Sequence, residues 1–295
     1  MVYHYTTIES FYSILANYKA SEDKDNLIFW ASNVLNQNDP KEMSLRLDDI
    51  ISAVKLIEKE KPELTELRKL STVKDFEWLF GHTSENVEKN INKYCTDINY
   101  APFTISFSHQ FDKLLMWSMY ASNGTGLCLV FDETQVKVKQ PGLYLIRDNV
   151  FYDNNPSYYY NVVSALYEKY LEQYKDVLFL NSLEREKGVF LSTMLSGIAP
   201  FIKNKAYEDE QEYRLAYYKT SNDNPKVYSR LTNRLNVINY VEIRIPIAAL
   251  QHIIIGPCAN YLKARKLLID NMKSCGIERI YKSFVSKSKV PYRIY

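Results

Sequence analysis

Glycine is scarce in this chain, 8 among 295 residues. None falls in a G-x-G-x-x-G pattern, and no G-K-[ST] occurs. That excludes the common dinucleotide and P-loop fingerprints, which need glycine where backbone closes on phosphate. Cysteine is equally thin. The 4 cysteines, Cys95, Cys128, Cys258 and Cys275, are far apart with no C-x-x-C. This argues against a zinc site or a disulfide framework and makes the cytoplasm the expected compartment. The 4 histidines, His4, His82, His109 and His252, show no metal-ligand spacing. No Ser-His-Asp or Cys-His arrangement with a nucleophile turn stands out. Charge of one sign is missing too. Lys plus Arg number 37 against 35 for Asp plus Glu, which argues against a basic surface dedicated to nucleic acid and leaves room only for a local patch. No apolar run approaches the roughly 18 residues of a membrane span, and Met1-Val2-Tyr3-His4 begins no signal peptide.

Tyrosine is plentiful, 25 in all, and the length suffices for one large domain or two modest ones with a real core. The most informative stretch runs from Phe103 to Asp132. Phe103, Ile105 and Phe107 alternate with Thr104, Ser106 and Ser108, so a strand there has one apolar face and one hydroxyl face. Asp112 is expected to cap a short helix holding Leu114, Leu115, Met116, Trp117 and Tyr120. Asn123-Gly124-Thr125-Gly126 breaks it, and Leu127 to Phe131 reads as a buried strand. Hydroxyls beside a Trp and a Tyr suit the wall of a small-ligand site, or equally the edge of an ordinary sheet.

Elsewhere, Val2 to Tyr5 reads as a strand and Thr7 as the N-cap of a helix through Ile8, Phe11, Ile14 and Leu15. Leu27 to Ala31 is a second strand, and Asp39-Pro40 with Glu42 is a good helix start. Further strands are expected over Gly142 to Tyr152, from Glu210 onward, over Val237 to Ile245, at Ile253 to Ile255 and over Ile277 to Tyr281. A helix is expected from Tyr261 to Lys273, and the chain then ends in a Ser/Lys-rich tail. The order describes a single α+β domain over residues 1–295, with helical insertions at about 41–97 and 158–201.

Chemistry concentrates at Glu210-Gln211-Glu212-Tyr213-Arg214. On a strand, residues two apart share a face, so Glu210, Glu212 and Arg214 are expected to point the same way. Neighbouring carboxylates disfavour joint ionisation and an adjacent Arg offsets that, which suits acid–base work or a hydrogen bond to a sugar hydroxyl. A charge ladder on an exposed strand edge has the same pattern. A metal-dependent nuclease assembled from Asp39, Glu42, Glu210 and Glu212 is a further reading, although no motif joins those carboxylates.

A strand with His4 and Thr6, then one with Ser106-Phe107-Ser108, then one opening with Glu210-Gln211-Glu212 is an order that resembles the ADP-ribosyltransferase superfamily. Tyr3 to Thr6, Asn38 to Glu42, Ser106 to Ala121, Glu210 to Arg214 and Ile253 to Pro257 together resemble the bacterial domain-of-unknown-function family numbered 2971. The transferase resemblance implies an α+β fold with a split mixed or antiparallel sheet core carrying helical insertions. It also implies NAD as co-substrate and no metal. His4 would hydrogen-bond NAD beside Thr6, and Ser106 and Ser108 would line the nicotinamide pocket with Trp117 or Tyr120 stacking on the ring. Glu212 would stabilise the oxocarbenium-like state, Glu210 would orient or deprotonate the acceptor, and Arg214 would hold the carboxylates. The expected protein is an intracellular toxin or anti-phage effector that transfers ADP-ribose or hydrolyses NAD. Its acceptor would be a protein or a nucleic acid, and a regulatory partner protein is part of that picture. The alternative of another class is a non-catalytic sensor of a nucleotide or phage component. Glu212→Gln is expected to leave thermal stability nearly unchanged, the group lying at a polar cleft.

Overall fold

The computed structural model describes residues 1–36, 47–61, 101–152, 159–161, 164–165, 197, 199–219, 225–231, 236–277 and 284–292. The chain divides into two units. One comprises Met1–Asn36, Pro102–Val150 and Tyr207–Tyr295, and the other Gln37–Ala101 and Phe151–Ala206.

In the first unit, β1 (Val2–Thr6) runs into α1 (Ile8–Ala20), as the apolar spacing predicts. The Thr7 hydroxyl accepts from the Ser10 amide at 3.0 Å, satisfying one of the helix's orphan donors. β2 (Asn26–Asn33) follows. After the second unit's α2 (Leu47–Glu60), the chain returns to the first unit with β3 (Phe103–Ser108), α3 (Leu114–Tyr120), β4 (Leu127–Phe131) and β5 (Leu143–Asn149). The second unit then adds β6 (Phe151–Tyr152) and β7 (Ile202–Lys203). The first resumes with β8 (Glu212–Lys219), β9 (Tyr228–Leu231), β10 (Val237–Pro246), β11 (Leu250–Ile255), α4 (Tyr261–Ser274) and β12 (Val285–Lys287).

The first unit is α+β, built on one open mixed sheet. Its order is β12-β11-β4-β1-β3-β2-β10-β9, with β8 on the second edge of β3 and β5 beyond it. β11 and β12 are parallel and the other pairs in this sheet antiparallel. The Ser/Lys-rich tail therefore contributes a strand, and the strand expected over Ile277 to Tyr281 lies, beyond Ile277, outside the described residues.

Alternation sorts the sheet into two faces. Leu27, Phe29, Phe103, Ile105, Phe107, Leu129, Leu215, Ile243, Ile253 and Ile255 join Phe11, Leu15 and Tyr18 of α1 and Leu268 and Met272 of α4 in the main core. On the opposite face a smaller cluster holds Tyr5, Cys128, Val130 and Ile254 beneath Met116 and Trp117 of α3. Burying a Trp or Phe side chain stabilises by about 2–3 kcal/mol, so these two clusters fix which way each strand is turned.

β3 is the strand on which the sheet divides. β8 pairs along its whole length, from Phe103↔Tyr217 to Ser108↔Glu212. On the other edge β2 reaches only Phe103 and Thr104, and β1 only Ser108. Between those contacts the β3 edge needs another partner, because a buried carbonyl without one is costly. His4 supplies it, as its Nδ1–H donates to the Ser106 carbonyl at 2.9 Å.

Glycine is required at one crossing. A Cβ on Gly256 would fall inside the envelope of the Gly124 carbonyl, and one on Gly126 would strike the Thr6 carbonyl. The strand ends meet there through Gly256 N–H to the Gly126 carbonyl at 2.9 Å and Cys258 N–H to the Gly124 carbonyl at 2.9 Å.

In the second unit, α2 buries Ala53 and Ile57, and Lys61 donates to the Ser164 hydroxyl at 2.7 Å. β6 and β7 form a parallel pair. The stretches expected as helical insertions fall largely outside the described residues, as do Asp39-Pro40 and Glu42.

Candidate functional site

The site is built where the C-terminal end of β3 meets the start of β8. Ser108 is 1% exposed, and its hydroxyl is used twice. It donates to the Glu210 carbonyl at 2.5 Å and accepts from the Gln110 amide at 2.9 Å. Those bonds tie the start of the turn between β3 and α3 to Glu210, just ahead of β8. The next amide, His109 N–H, donates to the Gln211 carbonyl at 2.9 Å.

Glu210 does not lie on the strand, contrary to the alternation expected for Glu210, Glu212 and Arg214. It ends a 3-10 turn over Lys205–Glu210, and Gln211 follows at φ 40°, in the left-handed region. A non-Gly residue there is uncommon, and it swings Glu210 out of the strand's alternation. Its carboxylate instead accepts a very short hydrogen bond from the Tyr120 hydroxyl, on α3. Glu210 is itself buried.

Glu212 opens β8 with Arg214 two residues on, and here the expected geometry holds. Arg214 Nε donates to Glu212 Oε1 at 2.7 Å and a terminal nitrogen donates to Oε2 at 2.8 Å, a bidentate fork. Glu212 is 4% and Arg214 1% exposed, so the pair is out of water. Register sets Ser106 beside Arg214 on β3 and Asp148 beside it on β5. Glu210 thus meets the Tyr120 hydroxyl, and Glu212 the Arg214 guanidinium.

Other expected residues are used differently. The His4 ring sits on the main-core face, edge-on to Phe29 and Phe107 at 5.7 Å each. Desolvation holds its pKa below the usual histidine value, against the opposing effect of its bond to Ser106. The imidazole therefore stays neutral and closes the split in the sheet, on the face opposite the Ser108 and Glu212 side chains. Thr6 is buried and shares the His4 face by alternation. Trp117 is fully buried, with Tyr5 edge-on at 5.1 Å, so its ring cannot stack on a ligand. Tyr120 is half-buried and its hydroxyl is committed to Glu210.

Asp112 was expected as a helix cap, but the N-cap position belongs to Lys113, with no side-chain cap bond. Asp112 sits at φ 45° and accepts from Trp117 Nε1 at 2.8 Å, from Ser288 Oγ at 2.6 Å and from the Lys289 amide at 2.8 Å. Tyr5 adds a second tie, donating to the Gln110 carbonyl at 2.8 Å and accepting from the Lys113 amide at 3.2 Å. Apart from the Trp117 bond, no local pattern signals these contacts, because their partners lie more than a hundred positions apart. Among the described residues no cluster of three or more His, Cys, Asp or Glu side chains is placed to hold a metal. No helix among them is long and apolar enough to cross a membrane.

Residues 116–215 match the model of a family described as "Protein of unknown function (DUF2971)". This stretch is similar to that family, and the match covers a part of the chain only. The DUF2971 match begins inside α3 and ends inside β8, so it contains Trp117, Tyr120, Glu210, Glu212 and Arg214. It leaves out β1 and β3, and with them His4, Thr6, Ser106 and Ser108. No curated protein and no solved structure matches the chain.

Proposed function

We propose that this protein binds NAD on a split sheet of the ADP-ribosyltransferase type, breaks the bond between nicotinamide and ribose, and passes ADP-ribose to an acceptor or to water. The observation that supports this reading is that Tyr120–Glu210 and Glu212–Arg214 form at neighbouring positions of the chain at the start of β8. Two buried carboxylates held by different donors, a tyrosine hydroxyl and a guanidinium, can take different tasks in one reaction.

As nicotinamide leaves, positive charge develops on the ribose anomeric carbon and its ring oxygen. Carboxylates oriented in advance stabilise that charge without reorganising. Glu212, held by the Arg214 fork, is the fixed negative group. Hydrogen bonding to a ribose hydroxyl there strengthens in the transition state, as it does in glycosidases. Glu210 is the base. It takes the proton of the attacking acceptor or water while the new bond forms at the anomeric carbon, and nicotinamide departs with the bonding pair. Ser106 and Ser108 support the site from β3. Ser108 acts through the Glu210 backbone, since its hydroxyl is already engaged. A toxin or anti-phage effector role follows from the same resemblance, with a protein or nucleic acid as acceptor.

The test is nicotinamide release from NAD by the purified full chain, with Glu210→Gln alongside. Release by the wild type, and its loss in E210Q without loss of fold, is the expected result. The burial of both carboxylates favours a second reading, a nucleotide-binding module without turnover. Calorimetric binding of NAD with no nicotinamide release under any condition would select that reading, and no binding would remove both.

A further inference from the structure

We infer that Asp112 is a positioning residue for Glu210, acting through α3 and anchored by the C-terminal segment around β12; this rests on the NAD-cleaving reading. α3 has seven residues and lacks a side-chain N-cap. A helix of two turns has no stability of its own, so its pose is imposed from outside. Asp112 imposes it. One carboxylate oxygen accepts from Trp117 Nε1 and Ser288 Oγ, and the other from the Lys289 amide. A left-handed conformation at a non-Gly residue costs free energy, and the three bonds at Asp112 hold the chain in it.

From Trp117 the restraint passes to Tyr120. The two residues are three apart and lie on neighbouring positions of the same helix face. Trp117 is pinned at its ring nitrogen and buried against Tyr5, which sets the roll of the helix. Tyr120 then meets Glu210 with its hydroxyl. The Glu210 backbone is held separately by Ser108. Asp112 therefore governs the direction of the carboxylate and Ser108 the position of the main chain. Asp112 makes no contact with substrate on this reading. Its effect on turnover is geometric.

The test compares the full chain with Asp112→Asn and Ser288→Ala, by steady-state nicotinamide release across pH and by a thermal double-mutant cycle between D112N and Tyr120→Phe. Misplacing a reacting group by about 1 Å costs up to roughly a hundredfold in rate. D112N is thus expected to lower kcat about tenfold or more while leaving KM for NAD within about twofold. Its pH profile shifts and S288A moves the same way by less. The Tm losses of D112N and Y120F are expected to be less than additive, since the first already loosens the bond that the second removes. Unchanged kcat and pH profile in a folded D112N would overturn the inference. So would strictly additive Tm losses, which an independent structural role of Asp112 would give. If the wild type releases no nicotinamide, the NAD reading fails, while the thermal cycle still decides whether Asp112 positions Tyr120.

Discussion

Replacing Glu212 with Gln tests the interior of the site directly. Glu212 and Arg214 are 4% and 1% exposed and joined by bonds of 2.7 and 2.8 Å. Gln keeps the shape but removes the negative charge that faces the buried guanidinium of Arg214. Breaking a buried pair from one side costs about 3–5 kcal/mol. For a cooperative unit in the size range of 150–250 residues each kcal/mol moves Tm by about 2–4 °C. E212Q should therefore lower Tm by roughly 6–20 °C. This replaces the stability-neutral outcome that a polar cleft implies, because Glu212 lies buried in a bidentate pair. Arg214→Met should cost a similar amount from the other side. Glu212→Met combined with Arg214→Met should cost much less than the two losses together, since exchanging both charges for apolar groups of like volume is often neutral. Differential scanning calorimetry of the four proteins reads the cycle. If E212Q melts within about 2 °C of the wild type, the ion pair is not what holds the start of β8, and the reasoning fails.

Acidification gives a separate prediction through His4. Its folded-state pKa is lowered, so below the ordinary value of about 6.5 the unfolded chain takes up a proton that the folded chain refuses. This contribution to stability is fully present above that value and is lost progressively as pH falls toward the folded-state pKa. Urea midpoints of the wild type should decline over that window, and His4→Gln should show a shallower decline; identical slopes would exclude His4 as the source. At the glycine crossing, Gly256→Ala drives a methyl into the Gly124 carbonyl and should cost about 2–3 kcal/mol or more, read as a lower denaturant midpoint. A midpoint unchanged from wild type would mean that the two strand ends separate freely.

Periodicity made much of the first unit legible. The alternation over Phe103 to Ser108, the helical spacing after Thr7 and the apolar run at Ile253 to Ile255 each return as the expected element. These signals are local, and burial on a defined face enforces them. The 3-10 turn before β8 was missed because a left-handed Gln211 has no sequence signature, and without that turn Glu210 reads as part of the strand. β12 was missed because three residues of mixed polarity carry no period, and its pairing with β11 is a tertiary matter. Within the candidate site, the Arg214 fork follows from two-residue spacing alone. The Tyr120 bond to Glu210 and the ties from Ser288 and Lys289 to Asp112 do not, since each joins segments that only the completed sheet brings together.

The division of the sheet on β3 has a consequence for the order in which the protein is made. β3 must wait for β8, and β2 for β10, with Ile28 facing Arg244 and Phe103 facing Tyr217. Closing loops of that length costs entropy before any contact compensates for it. The segment around β12, which ties down Asp112, lies near the C-terminal end of the chain. A nascent chain on the ribosome therefore carries Ser106 and Ser108 long before it has Glu210, and Glu210 before the tie through Asp112 is complete. A fragment that stops short of β12 therefore lacks the bonds that Ser288 and Lys289 make to Asp112.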